Sequence, residues 1–319
     1  MRSLPFWLRM LLVLVLFVPA LSIQAQTPTA TPYCCKASWS YPAANTSFSS
    51  NTGGLAYDPS GPGTLYVGGV SVVQAVRART GGLLGTLPGT FPNVTMMAMG
   101  QDGNLYVGTY DDYSIVKVQV PGGARAVTFD LSANDRVRSI SVGKGTVNPD
   151  LYVGGDTGGV SRVVQPSTII PLVFDPDVPE GRGSVGGLLF QDGQSGAPAT
   201  LYLGASSAND VLQRFIQASA GSVTFGFDAY VTITGIIYPH QMLEDASGDV
   251  YVCGANGYVQ YDADFQTQLK VCSSALFVVD PQGMAVDEEG NVFLGSPLDG
   301  ALGRFGCIPA NQTYQGFDP

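Results

Sequence analysis

The chain has 319 residues with 41 glycines, only 13% charged residues and a net charge of -10 at pH 7. An acidic chain without a basic cluster gains nothing from phosphate backbones or anionic lipid headgroups, so nucleic acid and anionic membrane surfaces are excluded as expected partners. Many glycines with few charges point to short strands joined by tight turns, because glycine supplies the positive φ such turns need.

Arg2 and Arg9 precede an apolar run over residues 10–18, then Pro19 and the small residue Ala25. This order of charge, apolar core and small residue predicts a secretory signal peptide over residues 1–25, cleaved after Ala25. The run falls short of the ~20 residues that span a bilayer; an uncleaved anchor is the alternative. No later segment is long and apolar enough to cross a membrane, so no stable insertion is expected after cleavage, and the chain is expected to be secreted or extracytoplasmic. Residues 26–35, rich in Thr and Pro, read as an extended linker. Residues 36–319 then form one domain.

Within that domain one motif recurs six times. Its second strand reads Leu65-Tyr66-Val67-Gly68, Leu105-Tyr106-Val107-Gly108, Leu151-Tyr152-Val153-Gly154, Leu201-Tyr202-Leu203-Gly204, Val250-Tyr251-Val252-Cys253-Gly254 and Val292-Phe293-Leu294-Gly295. The copies are spaced by 40 to 50 residues, the size of a four-stranded propeller blade. Before each lies an apolar strand and a Gly/Asn/Asp turn, and after most lie two further strands, such as residues 114–120 and 126–130. A single twisted sheet cannot bury both faces alone, so copies pack radially into a ring. The fold class is therefore all-β: a six-bladed β-propeller of antiparallel four-stranded blades. The last unit offers too few strands, and residues 36–41 are otherwise unassigned. That N-terminal stretch is expected to supply the outer strand of the last blade and close the ring.

Residues 283–295 resemble the NHL repeat, a glycine, alternating apolar positions, an aspartate and then Gly290-Asn291-Val292-Phe293-Leu294; residues 95–109 and 241–254 are similar. The resemblance implies a six-bladed, TolB-like propeller. It implies little about activity, since that fold hosts lactonases, lyases, receptors and scaffolds. The metal-binding Glu, Asn and Asp set of the related gluconolactonases is not identifiable, and no cofactor or metal is expected.

The candidate site residues lie in loops between second and third strands, which would rim one face of the ring. They are Tyr110, Asp111, Asp112, Tyr113, Asp156, Asn209, Asp210, Asn256 and Asp299. Such side chains stack on or hydrogen-bond to a polar ligand or a protein partner, and they are also ordinary turn residues. His240, the one histidine, sits before the first strand of the fifth blade, where it faces the channel mouth or occupies a surface turn. Asp58, Asp102, Asp192, Asp245 and Asp287 recur in the first hairpin of their units, as acids for Ca²⁺ or proton transfer if they converge, and as turn residues otherwise.

Among the cysteines, Cys34 or Cys35 is expected to bond Cys307 across the ring closure, while Cys253 and Cys272 form a within-blade bond or stay reduced. A vicinal Cys34-Cys35 metal site lacks a second ligand pair. Three sequons, at Asn45, Asn93 and Asn311, matter only in a glycosylating host. The leading functional expectation is a binding or interaction module without catalysis of its own. A lyase or lactonase working near His240, or a structural envelope component, are the alternatives.

Overall fold

The computed structural model describes residues 36–41 and 53–306, except 133–134, 145–146, 166, 175–183, 194–196, 206–210, 274–277, 279 and 299. Six separate sheets account for all the strands, and no helix occurs among the described residues. Blade 6 contains β1 (Lys36–Tyr41), so the chain enters the ring in its last sheet.

Blade 1 is β2 (Leu55–Asp58), β3 (Thr64–Gly68), β4 (Val73–Arg77) and β5 (Leu83–Thr86). Blade 2 is β6 (Val94–Met99), β7 (Asn104–Thr109), β8 (Ser114–Gln119) and β9 (Ala124–Asp130). Blade 3 is β10 (Val137–Val142), β11 (Leu151–Gly155), β12 (Val160–Val164) and β13 (Thr168–Pro171). Then comes β14 (Val173–Phe174), which pairs in parallel with the outer strand of blade 4 as a fifth strand. The rest of blade 4 is β15 (Val185–Gln191), β16 (Thr200–Ala205), β17 (Val211–Gln217) and β18 (Thr224–Thr232). Blade 5 is β19 (Pro239–Glu244), β20 (Val250–Gly254), β21 (Gly257–Tyr261) and β22 (Gln268–Ser273). Blade 6 is completed by β23 (Gly283–Val286), β24 (Val292–Gly295) and β25 (Leu302–Gly306), with β1 antiparallel to β25 in the register Lys36↔Gly306 to Tyr41↔Leu302. Thus β1 closes the ring as the pattern predicts.

The innermost strands β2, β6, β10, β15, β19 and β23 neighbour one another in that order, with β23 returning to β2. Each second strand buries nearly all its side chains: Leu65, Tyr66, Leu105, Tyr106, Val250, Tyr251 and Phe293 are at most 1% exposed. Alternate residues face the blade before and the blade after, so one strand serves two interfaces. At the interface of blades 3 and 4, Tyr152 stacks on Phe190 with ring centroids 3.7 Å apart.

The repeat glycine has a specific task. A Cβ on Gly108 would lie 2.6 Å from Val137 Cγ1, and one on Gly204 would lie 2.8 Å from Pro239 Cβ. Val137 and Pro239 begin the innermost strands of the following blades, and Gly68 and Gly154 meet Val94 and Val185 likewise, so at these four positions glycine lets one blade seat under the next.

Cys253 is a free, buried thiol, and burial pushes its pKa up to about 12. Cys272 is disulfide-bonded while Cys253 is not, so neither alternative, a Cys253–Cys272 bond or two reduced thiols, holds. Their strands explain why the two do not bond: β20 and β22 flank β21, whose Tyr258 pairs with both cysteines and keeps them apart. Cys34, Cys35 and Cys307 lie outside the described residues, as do the expected signal peptide and linker over residues 1–35.

Candidate functional site

The site arises from an irregularity repeated in the innermost strands. In β6 the register with β7 slips between Val94 and Met96, leaving Thr95 as an extra residue. The same slip leaves Arg138 extra in β10, Gly186 in β15 and His240 in β19. A β-bulge re-aims the side chain of its extra residue out of the normal alternation. Here it aims these side chains at the channel mouth. Gly53 and Gln282 stand in the corresponding stretch just before β2 and β23, two residues ahead of the first pair in blade 1 and one ahead in blade 6.

All six positions line one cavity of about 200 Å³, together with Met96 and Ser184. Blades 1 and 4, which face each other across the ring, contribute glycines. The result is a slot along that diameter. Thr95 and Arg138 form one side, and His240 and Gln282 form the other.

Arg138 and His240, on opposite walls, are both held from behind. Asp280 accepts from His240 Nε2 at 3.1 Å and from Gln282 Nε2 at 3.2 Å. The His240 bond keeps the Asp280 carboxyl below its ordinary range, against burial. An ionised Asp280 can only accept, so Nε2 carries a proton, and Nδ1 lies on the Gly186 side of the ring. Asp156 holds Arg138 through Nε, while Tyr110 Oη donates to the same carboxylate at 2.8 Å. Burial works to raise the Asp156 pKa, but the bonds from Arg138 and Tyr110 and the nearby guanidinium charges lower it.

A second arginine widens this cluster outward. Arg136 donates through Nη1 to Tyr110 Oη at 2.8 Å and through Nε to Tyr113 Oη at 2.9 Å, with its guanidinium over both rings. Arg136 also borders an outer groove of about 440 Å³ floored by Leu131, Val160, Leu172 and Phe174. The mouth and the groove are therefore joined by one preformed Arg–Tyr–Asp assembly.

Of the residues expected from sequence, His240 lines the slot, while Tyr110 and Asp156 stand behind Arg138 and Tyr113 holds Arg136. Asp112 instead accepts from Thr109 Oγ1 and from Ser114 Oγ at 3.1 Å inside its own loop, and Asp111 accepts weakly from Asn93 at 3.4 Å. Asn256 is a brace: it accepts from the Ile237 N–H at 3.0 Å and donates to the Gly235 carbonyl at 2.9 Å. Asn209, Asp210 and Asp299 lie outside the described residues. Arg136, Arg138, Thr95 and Gln282 were not expected. Their signal is positional, since residues 53, 95, 138, 186, 240 and 282 each stand two before a buried residue of the innermost strand: Leu55, Met97, Ile140, Leu188, Met242 and Met284.

The recurring aspartates do not converge. Asp58, Asp245 and Asp287 accept backbone N–H groups two residues on, at 2.8, 2.8 and 3.0 Å. Asp192 differs and accepts the Lys144 N–H of the preceding blade at 2.9 Å. Among the described residues no group of three or more His, Cys, Asp or Glu side chains gathers as a metal site.

No protein-family model matches the chain, and no curated protein is similar to it in sequence. Solved structures are similar in shape. A gluconolactonase from Xanthomonas campestris aligns with a TM-score of 0.56 at 14% identity, over 86% of this chain and 88% of its own. The WD40 β-propeller domain of Doa1 aligns with a TM-score of 0.54 at 13% identity, over 79% and 78%. At such identities the likeness carries architecture alone: the chain is a six-bladed β-propeller.

Proposed function

We propose that this chain is a secreted, NHL-like propeller that binds a small polar ligand, or a polar segment of a protein partner, in the slot of its rim face, without catalysis of its own. The observation that carries this reading is the slot itself. Four polar side chains are thrown into it by bulges or their equivalents, two glycines keep it open, and its arginine and histidine are held from behind by carboxylates. Preorganised polar groups around a cavity favour binding because little ordering remains to be done.

The test is a thermal-shift screen of polar metabolites and peptides, repeated on Arg138→Ala and Gly186→Leu. Compounds that stabilise the native chain should lose their effect in both variants. Stabilisation that survives in both would place binding elsewhere.

The His240–Asp280 pair favours a second reading, a lyase or lactonase in which Nδ1 removes a proton while Arg138 steadies an anionic oxygen. Turnover of a sugar lactone by the purified chain, abolished in His240→Asn, would replace the binding-only view. Export is checked by sequencing the N-terminus of protein recovered outside the cytoplasm, which should begin at Gln26.

A further inference from the structure

At the other end of the channel, the first hairpin turns of the blades surround a chamber of about 490 Å³, separate from the rim slot. Its walls come from all six innermost strands, and the apolar side chains that stay partly exposed there are Met99, Val142, Leu243 and Val286.

Charge is confined to the mouth. Lys144, in the turn after β10, reaches past blade 4 to blade 5, where its Nζ lies 2.7 Å from Glu244 Oε1. Gln191 of blade 4 donates to the other oxygen of that carboxylate at 3.2 Å. Glu244 is only 16% exposed, whereas the Lys144 side chain is 52% exposed. A half-exposed arm of this kind contributes little to stability and is weakened by salt. Lys144 is the one basic residue among the described chamber lining, against Glu244 and Asp245, with Asp192 at its own backbone N–H. The mouth is thus net negative, and it already holds an ammonium, the chain's own.

We propose that this chamber is a second binding site, for a primary ammonium carried on an apolar body. The ligand displaces Lys144 from Glu244 and buries its hydrocarbon against Met99, Val142, Leu243 and Val286. A carboxylate of the same shape is rejected, because displacing Lys144 would leave it facing Glu244 and Asp245.

Isothermal titration of the full chain with n-hexylamine, n-hexanol and hexanoate tests this, using the native protein, Lys144→Met and Glu244→Gln. Hexylamine should bind and hexanoate should not. Lys144→Met, which removes the internal competitor, should tighten hexylamine about tenfold, and Glu244→Gln should weaken it at least tenfold. Methionine-methyl NMR should show hexylamine shifting Met99 while sparing Met96, which borders the rim slot. Equal affinity for hexanol and hexylamine, no binding to either the native chain or Lys144→Met, an unaffected Glu244→Gln, or shifts confined to Met96 would each overturn the proposal.

Discussion

Lys117 shows how a charge is tolerated inside a blade interface. Its Nζ lies 2.8 Å from Asp102 Oδ2, and the two side chains are 8% and 6% exposed. Asn148 and Gln165 of blade 3 accept its other protons at 3.0 and 2.9 Å, so the ammonium is satisfied by two blades at once. Breaking a buried pair by removing one partner strands the other charge. Asp102→Ala should therefore cost about 3 to 5 kcal/mol in urea unfolding. The double variant Asp102→Leu/Lys117→Met should cost clearly less, and equal losses would show that the pair is not what stabilises the joint. Cys253 gives a second test at this scale. With its thiol pushed up to about 12 by burial, it should resist iodoacetamide at pH 8 in the folded chain and react on unfolding, read by mass spectrometry of its peptide.

The strands explain what was legible in advance. The Leu-Tyr-Val-Gly copies could be counted because every blade needs the same residue types at the same place: aliphatics for two interfaces, an aromatic to fill them and a glycine under the next blade. That need predicts that Gly108→Ala destabilises by about 1 to 3 kcal/mol through overpacking against Val137, measurable as a lower denaturation midpoint. The ring closure by residues 36–41 was legible too, because one blade lacked a strand and one strand lacked a blade. The bulges were not. They shift a strand by a single residue, and the alternation of apolar side chains resumes beyond them, so Thr95 and Arg138 read as ordinary strand positions. His240 was noticed because histidine is rare here, and its partner Asp280 lies 40 residues away in a connection with no pattern. The parallel pairing of β14 left no trace in a sequence read for antiparallel hairpins.

Across the whole molecule, carboxylates hold blades and loops together. Asp102, Asp156 and Asp280 all have pKa values lowered in the folded chain, through bonds from Lys117, Arg138 and His240 that outweigh burial. A carboxyl whose folded pKa is depressed contributes stability that is complete above its unfolded value of about 3.9 and is lost as pH falls through the lower folded value. The melting temperature should accordingly drop as pH is taken below about 4, followed by calorimetry, and a flat profile down to pH 2 would show that these groups are not depressed.

The strand that closes the ring also orders events in time. Lys36 pairs with Gly306, so almost the whole domain lies between the two halves of the last sheet. Contacts that distant in sequence form late, because the intervening loop must first be ordered. During synthesis blades 1 to 5 can assemble from neighbouring hairpins as they emerge, whereas blade 6 waits for the end of the chain. Until then β1 has no partner, and an unpaired strand edge invites pairing with another molecule. The same device that leaves the finished ring without a seam makes its first strand the last to find its place.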